Sequence, residues 1–572
     1  MSWRLALVAW MFFEIAVHAK SPPPGKSPTF NRDIAPIIFE ECVVCHHPGG
    51  DAPFSLATYE EVKKRAKLLA HVTASRYMPP WPPEAGHGAF VGERRLTAAQ
   101  IDLIENWRKG GAPEGIASEL KVKPQWSDDW QLGEPDLLLA MPEPYTLPAG
   151  GKDVYRNFVI PQVVPGNRYL RAVEFRPNVR GAVHHAFILF DDTGEARRRA
   201  ARQDEPGFPG MNAGQGARTP DGMFFSWQPG KRTLEAPAGL TEVLRKSTDI
   251  VLQLHMRPTG KPEKIQASVA LYFTDQPPTR KAFRLLLRSV EIDIPAGTTD
   301  YAIESSYKLP VEVELLGLLP HLHYLGKEVH GWAELPDGTK QELISIRQWD
   351  FNWQGDYRYA TPLVLPKGST LRMRYTYDNS AGNVRNPNPV PKRVIYGLQS
   401  SDEMGELWLQ LLPRNPADFD LLSKDYFQTW ALADKIALNK ALLKADPSDA
   451  EVRTELAVAL LMSGRVVEAR QHLKQAISDN PKIPRAYTTL AEMFLRQNDL
   501  PKALEATKQA VELDPENAQL QNNLGWLLIT AGDSEAAIKH LEIALKLDPT
   551  DTLARQNLEK AKAMDRKPQG EK

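Results

Sequence analysis

The chain has 572 residues, of which 42% are hydrophobic and 25% are charged, which are ordinary values for globular domains. Its formal net charge is -1, and the absence of any basic block or stripe argues against nucleic acid or an acidic membrane as a partner. The length is sufficient for three or four domains, each with its own hydrophobic core. Because the chain has only 2 cysteines, packing rather than disulfides must stabilise most of it.

The first segment has the pattern of a secretory signal peptide. Arg4 precedes an apolar run from Leu5 to Val17, and Ala19 ends a cleavage site of small residues. The run is too short for a membrane-spanning helix and is interrupted by Glu14. We therefore expect residues 1–19 to be removed. The mature protein is predicted to be periplasmic or secreted, without a membrane span.

Both cysteines lie in one short segment, Cys42-Val43-Val44-Cys45-His46, directly after the helix-like stretch IAPIIFEE. This spacing is the attachment signature of a c-type haem, in which two thiols form thioethers with the vinyl groups and the histidine ligates the iron. A zinc site would need further thiols, which the chain lacks. A thioredoxin-like redox pair is expected after a strand rather than after a helix. The motif therefore predicts one covalently attached haem.

The segment around this motif, residues 27–116, is predicted to be a small all-α domain, followed by a linker over residues 117–135. Thr58-x-x-Glu61 and Thr97-x-x-Gln100 are capping boxes that open helices. The segment resembles a bacterial cytochrome c domain.

Unless the haem is open on one side, a sixth iron ligand is needed. Met78 is our candidate, because its thioether suits a low-spin haem and the surrounding loop, RYMPPWPP, is stiffened by proline. His71, on the preceding helix, is the alternative.

The largest block, residues 136–413, is predicted to be all-β. Short runs rich in branched and aromatic residues are separated by turns, among them YLRAVEF, AVHHAFILF, DIVLQLHM, ASVALYF, STLRMRYTY and ELWLQLL. The length fits two packed sandwiches, over residues 136–280 and 281–413.

The histidines of this block are candidate metal ligands, and most of them fall on strand-like segments: His184, His185, His255, His321, His323 and His330. Residues two apart on a strand share a face, so His321 and His323 can bind one ion. Adjacent residues point to opposite faces. His184 and His185 therefore converge only through a β-bulge or through different ring nitrogens.

Four segments of the block resemble, in the same order, the copper type II ascorbate-dependent monooxygenases, the family of peptidylglycine α-hydroxylating monooxygenase and dopamine β-monooxygenase. These segments are VHHAFILF, VLQLHMRPTG, LLPHLHYLGKEVHG and SSDEMGELWLQ. The resemblance implies jelly-roll-like sandwiches that bind two copper ions. The electron-storing copper would be bound by His184, His185 and His255, and the oxygen-activating copper by His321, His323 and Met404.

The ligand types agree with this division. Three imidazoles suit copper in both oxidation states, whereas two imidazoles and a thioether favour Cu(I), the state that meets dioxygen. Zinc or non-haem iron would call for a carboxylate or a third nitrogen, so Met404 is the discriminating ligand. The resemblance implies hydroxylation of a substrate C–H bond with dioxygen, with electrons from ascorbate or a redox protein. The residues that act on dioxygen would be His321, His323 and Met404.

The positions around the substrate depart from the family pattern. Peptide-processing members carry an arginine where this chain has Leu319, and asparagine and tyrosine where it has Glu406 and Trp408. We therefore do not expect the protein to recognise its substrate by a C-terminal carboxylate. An apolar, aromatic or cationic substrate is favoured. The family's disulfide framework is also missing. The alternative interpretation is a non-catalytic copper and haem protein for electron transfer or sensing.

The C-terminal part is periodic. Pro447, Pro481, Pro515 and Pro549 follow one another at intervals of 34 residues, the period of tetratricopeptide repeats. We predict a connecting helical segment over residues 414–448 and an α-solenoid with a terminal cap over residues 449–565. Such an array offers a protein-binding face. The alternative is a stabilising or spacing appendage.

The combination of a haem motif with copper ligands indicates how electrons enter. A haem carries one electron at a time, as copper does, and we predict that the fused haem supplies electrons to the coppers. The alternative is that small molecules reduce the coppers directly and that the cytochrome serves another partner.

Overall fold

The computed structural model describes residues 27–565, apart from residues 51, 127–129, 162, 180, 215 and 221–225. The predicted signal peptide, residues 1–19, lies outside the described residues. The described chain forms two compact units, one from residues up to 81 together with 92–134, the other from residues 82–91 together with 135 onward. Within these described ranges, no helix is both long enough and apolar enough to cross a membrane.

The first unit is helical. Its helices are α1 (Ala35–Glu41), α2 (Tyr59–Lys64), α3 (Ala66–Ala74) and α4 (Ala98–Lys109), with a π-helical turn at Phe30–Ile34 and a 3-10 turn at Ala117–Glu119. Both predicted capping boxes are present, at Thr58 and Thr97. A fully buried Trp107 anchors the core and donates its indole N–H to the carbonyl oxygen of Pro113 at 2.9 Å.

The segment predicted as a linker is partly packed. Val122 and Trp126 lie against the core of the helical unit, and this unit extends to residue 134. Residues 82–91 belong instead to the second unit, where Phe90 forms a β-bridge with Tyr359.

The middle of the chain is β-rich. Its first half contains one short helix, α5 (Glu195–Ala200), and the strands β1 (Leu137–Ala140), β2 (Tyr145–Leu147), β3 (Val154–Ile160), β4 (Arg168–Arg176), β5 (Val183–Asp191), β6 (Phe208–Pro209), β7 (Ala217–Arg218), β8 (Ser226–Trp227), β9 (Glu242–Leu244), β10 (Asp249–Met256), β11 (Glu263–Ile265) and β12 (Ser268–Thr274).

These strands form a first sheet pair. One sheet has the order β1-β12-β4-β9, and the other has the order β6-β3-β10-β5-β7 with β8 also paired to β5. Apolar side chains from both sheets fill the space between them, for example Phe175 and Leu271 from one and Phe158 and Leu252 from the other. Strand β10 is buried along its whole length, as expected for a central strand with both faces covered.

The second half of the β-rich region contains β13 (Phe283–Arg288), β14 (Asp293–Ile294), β15 (Tyr301–Lys308), β16 (Val313–Leu322), β17 (Gly326–Glu334), β18 (Lys340–Ile346), β19 (Tyr357–Leu365), β20 (Thr370–Tyr377), β21 (Val394–Ile395) and β22 (Gly405–Pro413). The main sheets of this second sheet pair have the orders β13-β22-β16-β19 and β15-β20-β17-β18. On β20, alternate residues are buried against the facing sheet.

Two tyrosines of β20 fasten the sheets of this second pair together. The Tyr375 hydroxyl donates to the carbonyl of Glu406 at 2.9 Å, and the Tyr377 hydroxyl donates to the carbonyl of Met404 at 2.8 Å. Both tyrosines are fully buried. These two hydrogen bonds therefore fix the start of β22 to the sheet that contains β20.

The C-terminal part is helical: α6 (Phe419–Tyr426), α7 (Leu432–Ala445), α8 (Ala450–Met462), α9 (Val466–Asp479), α10 (Pro484–Arg496), α11 (Leu500–Leu513), α12 (Ala518–Ala531), α13 (Ser534–Leu547) and α14 (Thr552–Asp565). Helices α8 to α13 form three antiparallel pairs, and α14 packs on the last pair as the predicted cap. A side chain at Gly525 would approach Leu541 to 2.5 Å, so glycine permits the close crossing of α12 and α13.

Candidate metal centres

Three histidines converge on two central strands of the first sheet pair. His255 on β10 stands opposite His185 on β5, but the next residue, Met256, stands opposite Val183. The register therefore shifts at His184, which corresponds to the β-bulge, one of the two predicted alternatives, and both adjacent rings turn toward His255. The Nδ1 atom of His185 lies 3.3 Å from that of His184 and 3.4 Å from that of His255.

The ligand atoms of this three-histidine set all lie within 4.8 Å of one another, a spacing that can hold one metal ion. Burial lowers the pKa of each ring, in the case of His184 to about 3. The rings are therefore neutral at physiological pH. Neutral imidazoles keep a lone pair for a metal.

Asp153 fixes the orientation of one of these rings. The Nε2 atom of His255 donates to the Asp153 carboxylate at 2.8 Å, which leaves Nδ1 facing the other two histidines. Asp153 also accepts from the Ser400 hydroxyl at 2.7 Å. Burial alone would raise the pKa of Asp153, but these two hydrogen bonds lower it to about 2. Tyr155 stacks on the other face of His255, with the ring centroids 4.3 Å apart.

The second pair of histidines lies at the end of β16. The ring centroids of His321 and His323 are 5.2 Å apart. The Nδ1 atom of His321 donates to the side-chain oxygen of Gln354, and the Nδ1 atom of His323 donates to the carbonyl of Asp402 at 3.0 Å. In both rings, Nε2 therefore keeps its lone pair and is the atom that can bind a metal ion. Burial lowers the pKa of His323 well below its ordinary value.

Met404 lies beside this pair because of the strand register. His321 stands opposite Glu406 and Leu322 opposite Gly405, so continuation of the ladder places Met404 opposite His323. Directly opposite residues of an antiparallel pair share a face, so we expect the thioether on the side of the two imidazoles. Met404 is buried and lines the same cleft as both histidines. These three residues are called the histidine-methionine set below.

A buried carboxylate, Glu403, holds this second set together. It accepts backbone N–H groups from His323 at 3.0 Å, from Leu325 at 2.6 Å and from Met404 at 3.3 Å. Burial raises the pKa of Glu403 to about 8, although the three N–H donors oppose that shift. The carboxylate thus joins the end of β16 to the segment before β22.

Sequence reasoning did not find Asp153, Gln354 and Glu403. Asp153 and Gln354 reach the histidines from loops distant in sequence, without a motif of their own. Glu403 stands next to Met404 in the segment SSDEMGELWLQ, and only the structure shows that its carboxylate spans to β16. His330, the remaining histidine of the block, pairs with Glu342 at 2.7 Å and takes no part in either set.

Both sets open onto one cleft of about 1370 Å³. Its other wall comes from the first helix of each C-terminal pair, with side chains such as Glu455 on α8, Arg485 on α10 and Asn523 on α12. These helices of the array therefore face the histidines across the cleft.

Ion pairs hold the array in this position. Arg198 and Arg202 reach Asp514 at 3.2 and 2.8 Å, and Arg199 reaches Glu451 at 3.3 Å. Asp514 is 6% exposed, so its contacts are less screened by solvent than ordinary surface pairs.

In the helical unit, the Cys-x-x-Cys-His motif follows α1, as predicted. Neither cysteine is in a disulfide. The Nδ1 atom of His46 donates to the carbonyl of Phe54 at 3.0 Å, so Nε2 is free to bind a metal. Burial raises the pKa of the Cys42 thiol to about 12, which disfavours a reactive redox thiolate.

The two candidates for the sixth iron ligand differ in exposure. Met78 is half-buried, whereas His71 is exposed on α3, away from the buried residues Leu69 and Ala70.

Comparison with known proteins identifies the C-terminal repeats. Two family models described as "Tetratricopeptide repeat" match residues 436–493 and 488–552. The chain therefore carries C-terminal tetratricopeptide repeats, which indicates a protein partner. No curated protein matches the chain. A solved structure titled "Crystal structure of MamA protein" is 22% identical over 25% of this chain and 78% of that chain, with a TM-score of 0.22, too low to carry an argument.

Proposed function

We propose that the chain is a copper-dependent monooxygenase that hydroxylates a C–H bond with dioxygen. The observation that carries this proposal is the presence, in one cleft, of two separate donor sets of different chemistry. One set has three neutral imidazoles, and the other has two imidazoles beside a thioether. Three histidines alone would also suit zinc, so the thioether of the second set is the ligand that points to copper.

The donor sets fit copper. The residues that would hold it are His184, His185 and His255 in one set and His321, His323 and Met404 in the other. Bound there, two copper ions would store electrons at the first set and activate dioxygen at the second. The chain supplies orientation: Asp153 directs Nδ1 of His255 inward, and Gln354 and the Asp402 carbonyl direct Nε2 of the second pair inward.

The walls next to Met404 favour an apolar or aromatic substrate group. Leu319, Leu398 and Trp408 line this end of the cleft. Glu406 is the nearby anion, but it already accepts from the Trp408 indole at 3.0 Å and pairs with Arg288 at 3.4 Å. A cationic substrate group would have to displace these partners. The apolar and aromatic options from the sequence are therefore preferred over the cationic one.

The cleft is larger than the roughly 300–1,000 Å³ of typical small-molecule pockets. Because the repeat array forms one wall, a molecule bound by the array reaches the metal sets from the same cleft. The protein partner indicated by the repeats is thus proposed to deliver or contain the substrate.

The helical unit is proposed to be a c-type cytochrome domain of an exported protein. Cys42 and Cys45 would attach the haem, His46 would ligate its iron through Nε2, and Met78 would be the sixth ligand. A haem bound there would carry single electrons toward the coppers.

Reductant-dependent oxygen uptake tests the enzymatic proposal. The copper-loaded protein is expected to consume dioxygen with ascorbate, and the zinc-loaded protein is the matched control. Reversible copper redox without substrate-dependent oxygen uptake would instead support the non-catalytic electron-transfer or sensing protein.

The electron route is tested separately, with the haem reduced anaerobically and dioxygen then added without ascorbate. Substrate-dependent haem reoxidation that is lost in Met404→Ala is expected. Equal reoxidation rates in both proteins would show that the haem serves another purpose.

A further inference from the structure

One buried aromatic ring, Phe351, contacts both metal sets. It stacks on His184 of the three-histidine set, with centroids 4.6 Å apart and planes 16° apart. It also contacts His323 of the histidine-methionine set in a T-shaped arrangement, with centroids 5.6 Å apart and planes at 83°. Phe351 is 1% exposed, so water does not reach it. A single phenyl ring therefore contacts one imidazole of each set.

The short segment that carries this ring also holds the second set. The Trp349 indole donates to the carbonyl of His323 at 3.1 Å, and Gln354 accepts from Nδ1 of His321. The Asp350 side chain accepts the N–H of Asn352 at 2.9 Å and fixes the 3-10 turn that begins at Phe351. The ring is thus positioned by a turn rather than by a loose loop.

A second connection between the sets runs through hydrogen bonds. From His255 it passes to Asp153, to the Ser400 hydroxyl, along the main chain to Asp402, and from that carbonyl to His323. This route is longer than the ring contact, because it includes two side chains and a stretch of backbone. The ring is the more direct connection.

We propose that Phe351 is the positioning residue through which an electron passes from the three-histidine set to the histidine-methionine set. The inference rests on the proposed function. With copper bound at both sets, one electron would pass from a reduced ion held by the three-histidine set to an oxidised ion held by the histidine-methionine set. No bond is formed or broken, and the phenyl ring, which contacts both imidazoles, is not itself oxidised.

The test uses full-length copper-loaded protein without dioxygen or substrate. The oxidised protein is mixed with half an equivalent of ascorbate per chain, which supplies one electron for each pair of coppers, and is frozen at intervals. Cu(II) electron paramagnetic resonance then follows the two sites, whose signals differ because only one has a thioether. In wild type we expect a first-order redistribution of the electron whose rate does not depend on protein concentration.

Three variants separate the routes. Phe351→Leu removes the aromatic ring but stays apolar and is expected to slow the redistribution severalfold. Phe351→Tyr keeps the ring and is expected to restore the rate. Ser400→Ala cuts the hydrogen-bonded route and is expected to leave the rate unchanged. Copper content and Cu(I) competition with a chromogenic chelator show whether each variant still binds copper at both sites.

The outcomes distinguish this inference from the proposed function. A wild-type protein that binds no copper would overturn the proposed function itself. Full copper binding with an unchanged rate in Phe351→Leu would overturn the role of Phe351. Slowing in Ser400→Ala alone would assign the transfer to the hydrogen-bonded route instead.

Discussion

The two metal sets are built from different kinds of structure, although both use neighbouring antiparallel strands. The three-histidine set sits on two central strands of a continuous sheet, where a bulge turns adjacent rings to one side. The histidine-methionine set lies where a ladder ends, and its strand end and methionine segment are joined by the buried Glu403. The first set therefore depends on sheet register, whereas the second depends on one carboxylate and on the loop that carries Gln354. Substitutions should affect them separately.

Loss of the thioether is expected to have the largest effect. Met404→Leu keeps the volume and hydrophobicity but removes the sulfur, so hydroxylation should be abolished while copper stays bound at the three-histidine set. Product formation and the Cu(II) resonance signal of the first set measure this. Met373→Leu, a fully buried methionine on β20, is the matched control and should remain active. Normal turnover in Met404→Leu would mean that the oxygen site lies elsewhere.

Asp153→Asn is expected to weaken copper binding at the three-histidine set by about 10- to 100-fold, because a neutral amide supports the His255 ring less well. Competition with a chelator of known affinity gives the two copper affinities. The histidine-methionine set should keep its affinity. An equal loss at both sets would indicate a general disturbance of the fold and would contradict the separation of the two sites.

Glu403→Gln is expected to weaken the histidine-methionine set rather than the three-histidine set. The amide nitrogen takes the place of one of the two carboxyl oxygens that together accept three N–H groups, and each unsatisfied buried group costs about 1–3 kcal/mol. Urea unfolding should show this loss of stability, and copper should be lost from the histidine-methionine set first. Glu304→Gln, at an exposed position of the same sheet pair, is the control and should change neither property. Preferential loss from the three-histidine set would be inconsistent with the contacts of Glu403.

Substitutions in the repeat array are expected to have the smallest effect on copper binding. Gly525→Ala would press a methyl group against Leu541 and is expected to destabilise the array by about 1–3 kcal/mol. Ala491 occupies the corresponding place in the preceding repeat, and Ala491→Gly should cost roughly 0.5–1 kcal/mol. Thermal unfolding followed by helical circular dichroism measures both. Copper affinity should not change in either variant.

The sequence predicted those parts of the molecule that repeat or follow a period. Proline spacing located the repeats, capping boxes located the starts of α2 and α4, and strand periodicity placed His321 and His323 on one face. Periodicity also limited the ways in which His184 and His185 can converge to a β-bulge or the use of different ring nitrogens, because adjacent residues of a strand point apart. These features depend on neighbours in the chain.

Features that depend on distant contacts were not predictable. Asp153, Phe351 and Gln354 lie in segments without a motif, and their roles arise only when loops from both sheet pairs meet at the histidines. The packing of Val122 and Trp126 on the helical core was hidden for the same reason, since a polar, proline-containing segment has the composition of a linker.

The metal content of the purified mature protein tests the central claim most directly. Elemental analysis, together with a haem assay after extraction with acidic solvent, is predicted to give two copper ions and one haem that stays attached to each chain. Zinc in place of copper, or a haem removed by the extraction, would contradict the account.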